Sequence, residues 1–167
     1  MKRPLLFSLA ALLLVAGCKP SVRESTPLQR KQAANLVSEA QFAVSLRDFA
    51  RAEPLLAQAV DLCPDEPNFA VALGSARVRL NDKSGAKKAY ETALKAFEAA
   101  QAKDAKDPEL LLQQAYVLAL LGRADDARTL LEKTAKKYPD NRAVRAFVDS
   151  KQLDRLLADP GFKAIAL

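Results

Sequence analysis

The sequence predicts an all-α protein, a solenoid of about three helix-turn-helix repeats closed by a C-terminal capping helix. Three observations predict it. Half of the 167 residues are hydrophobic, yet only 6% are aromatic. Ala and Leu dominate, and the runs of Val, Ile or Thr that would read as strands are missing. Second, residues 108–139, PELLLQQAYVLALLGRADDARTLLEKTAKKYP, carry apolar periodicity on both sides of a glycine-marked turn, between bounding prolines. Third, small residues recur at fixed distance. Ala52 and Ala59 return as Ala86 and Ala93, 34 residues later, whereas Ala86 returns as Ala127, Pro67 as Pro108 and Ala93 as Thr134, 41 residues later. Such a period describes two antiparallel helices, small where they cross and larger where neighbouring pairs meet.

The chain opens differently. Lys2 and Arg3 precede an apolar run over 4–16, PLLFSLAALLLVA, too short to span a bilayer and suited to the hydrophobic core of a secretory signal. It runs directly into Val15-Ala16-Gly17-Cys18. This resembles a bacterial lipoprotein signal, whose lipobox is an aliphatic residue, two small residues and then cysteine. The resemblance implies a signal peptide over 1–17, cleavage before Cys18, and a thioether-linked diacylglycerol on its sulfur. Two or three acyl chains, at about 0.8 kcal/mol per buried methylene, anchor durably where one chain is marginal. Lys19, where Asp would favour inner-membrane retention in many Gram-negative bacteria, points to the periplasmic face of the outer membrane.

With Cys18 consumed by lipid, Cys63 stands alone and no intramolecular disulfide is expected. Cys63 precedes Pro64 at a helix end and reads as a small buried apolar residue. Residues 18–27 form the lipidated cysteine and a flexible tether, with two prolines among mixed polar residues. Without Lys2 and Arg3 the chain has 24 basic and 20 acidic residues, a net charge of +4. That mild, interspersed charge reads as a solvated surface, and nucleic-acid binding is not expected of an exported chain without a basic-aromatic motif.

Residues 28–140 hold the repeats. Unit one shows Leu36, Ala40, Phe49, Ala52, Leu56, Ala59 and Pro64. Unit two shows Ala70, Leu73-Gly74, Ala86, Tyr90 and Ala93; unit three shows Leu111, Ala115, Gly122, Ala127, Leu131, Thr134 and Pro139. Three units in phase resemble the tetratricopeptide repeat over about 110 residues. Each unit departs from the pattern, since Leu36, Ala70 and Leu111 replace its usual Trp, and Glu39 and Gln114 stand where Leu is usual.

Local signals place the elements. Gly122 and Asn81 suit left-handed helix termini, and Arg47 suits one less well. Asp107 caps a helix that Pro108 opens, and Asp140 caps the next. The seven-residue excess between Ala93 and Pro108 predicts one long helix over 83–102, protruding beyond the stack. Residues 141–167 form the capping helix and tail that a solenoid needs over its last face.

Chemistry is not expected. There is no histidine, Cys63 has no Cys-x-x-Cys context, and no glycine-rich phosphate loop exists. The chain is therefore read as no enzyme, with no metal and no cofactor apart from covalent lipid. Function then falls to a surface. The tetratricopeptide resemblance implies that the first helices line a concave groove for an extended or helical peptide. Its candidates are Val37, Gln41 and Ser45; Asn68, Val71, Ser75 and Arg79; and Leu112, Gln113, Tyr116 and Leu120. Tyr116 and Arg79 are the types most often found as anchors, although Tyr116 equally suits packing between helices. The Lys/Asn clamp for a terminal carboxylate is not reproduced, because Val37 and Gln41 stand in its places. The expectation is a membrane-anchored scaffold lipoprotein that recruits an envelope protein or peptide segment in cell-envelope assembly. Its rivals are a structural or self-associating lipoprotein, the groove filled by its own C-terminal segment or by another copy, and a regulatory subunit of an envelope enzyme.

Overall fold

The computed structural model describes residues 22–167, so the expected signal peptide over 1–17, the lipidated Cys18 and Lys19 lie outside the described residues. Six helices make three consecutive pairs: α1 (Pro27–Ser45) with α2 (Phe49–Leu62), α3 (Pro67–Arg79) with α4 (Lys83–Lys103), and α5 (Glu109–Leu120) with α6 (Ala124–Lys137). The pairs stack through α2 on α3 and α4 on α5. Ala52, Ala59, Ala86, Ala93 and Ala127 are all fully buried, because only a methyl group lets paired backbones approach so closely. Thr134 holds the equivalent place in α6, where its hydroxyl donates to the Leu130 carbonyl at 2.8 Å and so costs little to bury. No helix among the described residues is long and apolar enough to cross a membrane.

The three intra-pair turns share one geometry. Arg47, Asn81 and Gly122 take φ of 60°, 63° and 71°. In each turn the next amide reaches back to a helix carbonyl at 2.9 Å: Asp48 to Ala43, Asp82 to Arg77, and Arg123 to Leu118. Arg47 therefore adopts the terminus that its side chain disfavours. The returning hydrogen bond holds it there together with the Asp48 carboxylate, which accepts from the Arg51 amide at 3.0 Å. The Asp107 carboxylate accepts from the Glu109 amide at 2.8 Å, but Pro108, expected as the first helical residue, stands at the N-cap and α5 begins at Glu109. The next cap is Asn141, which accepts from the Val144 amide at 3.1 Å, one residue past the expected Asp140.

The long helix forms, but it does not protrude. Ala96, Phe97 and Ala99 in its extra turns are buried, and the Gln114 amide donates to the Phe97 carbonyl at 3.4 Å. The Tyr138 hydroxyl closes the following loop on the Ala105 carbonyl at 2.7 Å. Seven residues are nearly two whole turns, so the apolar stripe stays aligned with α5 and remains in the interface.

The stretch expected as a tether is docked from Arg23 onward. Arg23 donates to the Asp61 carbonyl at 2.8 Å, and Ser25 donates to the Leu62 carbonyl at 3.2 Å and to the Asp65 carboxylate. Thr26 and Gln29 then form a reciprocal capping box that starts α1. Burial raises the Asp65 pKa, but the Ser25 hydrogen bonds and the Arg30 charge outweigh it and leave the carboxyl below its ordinary value.

The cap is made of three short helices instead of one: α7 (Arg142–Asp149), α8 (Gln152–Ala158) and α9 (Pro160–Lys163). The chain breaks at Lys151, with φ 50°. Both Val144 and Leu153 are buried. On one continuous helix they would lie about 180° apart, on opposite faces, and the break turns both inward.

Candidate binding groove

First-helix residues of α1 and α3 line one cavity and those of α5 line another, and the C-terminal tail lies between the two. After α9, the Leu167 amide donates to the Leu120 carbonyl at 2.9 Å. The Tyr90 hydroxyl donates to the Ile165 carbonyl at 2.5 Å, with Ser75 Oγ 3.3 Å away on the same hydroxyl. Phe162 meets Tyr116 edge-on, with ring centroids 5.7 Å apart and an interplanar angle of 66°. Burial pushes the Tyr90 pKa up to about 12 against a smaller lowering by Ser75, and it raises that of Tyr116.

On one side of the tail lies an open cavity of about 530 Å³ between α1, α2 and α3. Gln41, Ser45, Ser75 and Arg79 line it, together with Val37. Its remaining wall includes Arg47, Phe49 and Ile165, none of which sequence reasoning placed in the groove. The Arg79 guanidinium carbon lies 5.7 Å from the Phe49 ring centroid. On the other side a smaller cavity of about 280 Å³ collects Leu112, Gln113 and Tyr116 beneath Phe147 of the cap. Asn68 lines neither cavity; its amide donates to Glu66 at 3.0 Å. Leu120 is fully buried, and Val71, partly buried against the same core, lines neither cavity.

The sequence-named residues thus form two groups. Repeat phase alone could assign the first helices to the groove. The tail's part in it is a contact 75 residues apart along the chain, between Tyr90 and Ile165. The one available signal was the apolar ending 162–167, FKAIAL, after the Asp159-Pro160-Gly161 turn.

Two models of the tetratricopeptide repeat family match the chain, one over residues 37–93 and one over 86–149. Together they run without a gap from the middle of α1 to the end of α7. Repeats of this kind generally mediate contacts between proteins. No curated protein sequence and no solved structure matches the chain.

Proposed function

The chain is a tetratricopeptide repeat protein, and from that premise we propose that it is a membrane-anchored, non-catalytic adaptor that recruits a protein partner in cell-envelope assembly. One observation carries the adaptor reading. Gln41 and Ser45 of α1, and Ser75 and Arg79 of α3, open onto one cavity wide enough for a peptide. The anchor reading draws its support from the sequence: a charged start, a short apolar run and Val15-Ala16-Gly17-Cys18 at its end. An acylated Cys18 would hold the repeats at the membrane, the periplasmic face of the outer membrane on the evidence of Lys19. The rival in which the tail fills the whole groove is less favoured, because the cavity between α1, α2 and α3 stays open beside Ile165.

A photocrosslinking residue at Gln41 in living cells tests the adaptor role. A discrete adduct is expected there and none at Lys87, an exposed position outside the cavity. Equal labelling at both positions would remove the groove assignment. For the anchor, Cys18→Ser should abolish palmitate incorporation and release the chain from membranes, and labelling that persists would rule it out.

A further inference from the structure

The open cavity has an uneven chemistry. Its floor is aliphatic, with Val37, Val44, Leu56 and Ile165, while Arg47 and Arg79 supply its charge and no Asp or Glu lines it. Elsewhere the arginines of the repeats are neutralised: Arg30 by Asp65, Arg51 by Glu39, Arg77 by Glu53, and Arg123 and Arg128 by Asp126 and Asp125. Among the described residues neither Arg47 nor Arg79 has a carboxylate partner. The acids that follow in sequence are committed elsewhere. Asp48 caps α2 through the Arg51 amide, and Asp82 caps α4 through the Gly85 amide at 2.8 Å. Phe49 holds the face of the Arg79 guanidinium and leaves its N–H edge to another acceptor.

The apolar side also lacks a cover. Val44 is 40% exposed, and Leu46 and Leu80, at the ends of the same two first helices, are 63% and 43% exposed. Ile165 reaches this cavity because Tyr90 fixes its carbonyl. Releasing the tail would leave the buried Tyr90 hydroxyl with Ser75 alone, which makes the tail a standing wall and not a plug.

We propose that the cavity between α1, α2 and α3 binds a partner segment that sets an aliphatic side chain against Val37, Leu56 and Ile165 and a neighbouring carboxylate on Arg47 and Arg79. This rests on the adaptor reading and deepens it: the tail confines recognition to the first two repeats, and the partner is an acidic-apolar peptide. Charge-assisted hydrogen bonds supply the selectivity, and burial of the aliphatic side chain supplies most of the affinity.

The test uses the full chain in mild detergent on an array of random peptides, followed by anisotropy with the best binder as a labelled probe. Binders should be enriched in Asp or Glu next to Leu, Ile or Val, and their affinity should fall as salt rises. Arg79→Glu should weaken the probe about tenfold with an unchanged melting profile, and Arg145→Glu on the exposed side of α7 should not. Enrichment in Lys or Arg, no binders at all, or equal affinity after Arg79→Glu would overturn the proposal. Failure of the array alongside a Gln41 adduct in cells would remove the acidic preference and keep the adaptor. Success of the array without that adduct would keep the peptide site and remove the envelope role.

Discussion

At Tyr90 a buried ring, a hydroxyl and the chain terminus meet. Its ring fills the space over Gly74, where an added Cβ would come within 2.3 Å of the Tyr90 ring. The Leu73-Gly74 pair is therefore a socket for this side chain, and the sequence shows both partners without showing that they touch. With its pKa raised to about 12, folded Tyr90 keeps its proton after an unfolded tyrosine, at about 10, has lost it. The unfolded chain then binds fewer protons, so stability is full below about pH 10 and declines as pH rises toward 12. Tyr90→Phe should flatten the fall in urea midpoint across that window relative to the parent. At neutral pH it should cost about 1 kcal/mol, because the Ile165 carbonyl loses its donor. A variant whose midpoint falls as steeply as the parent's would assign the alkaline loss to another group.

Elements follow local rules wherever neighbours do not intervene. The turns at Arg47, Asn81 and Gly122 repeat one hydrogen-bond scheme, and an unfavourable residue type at Arg47 does not alter it. Helix α2 carries an interior proline, Pro54, on its exposed face. Its missing N–H leaves the Ala50 carbonyl without its helical donor, and no core packing depends on the ring. Pro54→Ala should therefore stabilise the protein by about 1–3 kcal/mol, read as a higher urea midpoint with the slope unchanged. A midpoint at or below the parent's would mean that α2 already accommodates the ring without loss. The cap shows the opposite case. Periodicity over 144–157 reads as one helix, but Val144 and Leu153 can reach the same core only if the chain breaks between them. That break was present in the spacing as a phase error of half a turn.

Across the whole molecule, the tail runs back from the cap onto α4 and α5 and supplies Ile165 to the wall of the cavity between α1, α2 and α3. Phe162 is 5% exposed and locks against Tyr116. Phe162→Ala should lower stability by about 3–5 kcal/mol and speed hydrogen exchange at the Leu167 amide, whose acceptor is Leu120. Loss of stability with no change in that exchange would mean the tail is held without Phe162.

The sequence by itself determined the all-α class, the phase of the three units and the left-handed turns at Asn81 and Gly122. These depend on small residues at fixed spacing and on hydrogen bonds within a few residues of each other. It also named Gln41, Ser45, Ser75 and Arg79, because repeat phase decides which helix faces inward. Only the tertiary structure decided that Gln113 and Tyr116 lie across the tail from them, that Arg47, Phe49 and Ile165 complete their cavity, and that the extra turns of α4 are covered. Each of those outcomes needs segments far apart in the chain to compete for one apolar surface, and no local pattern states which of them covers it.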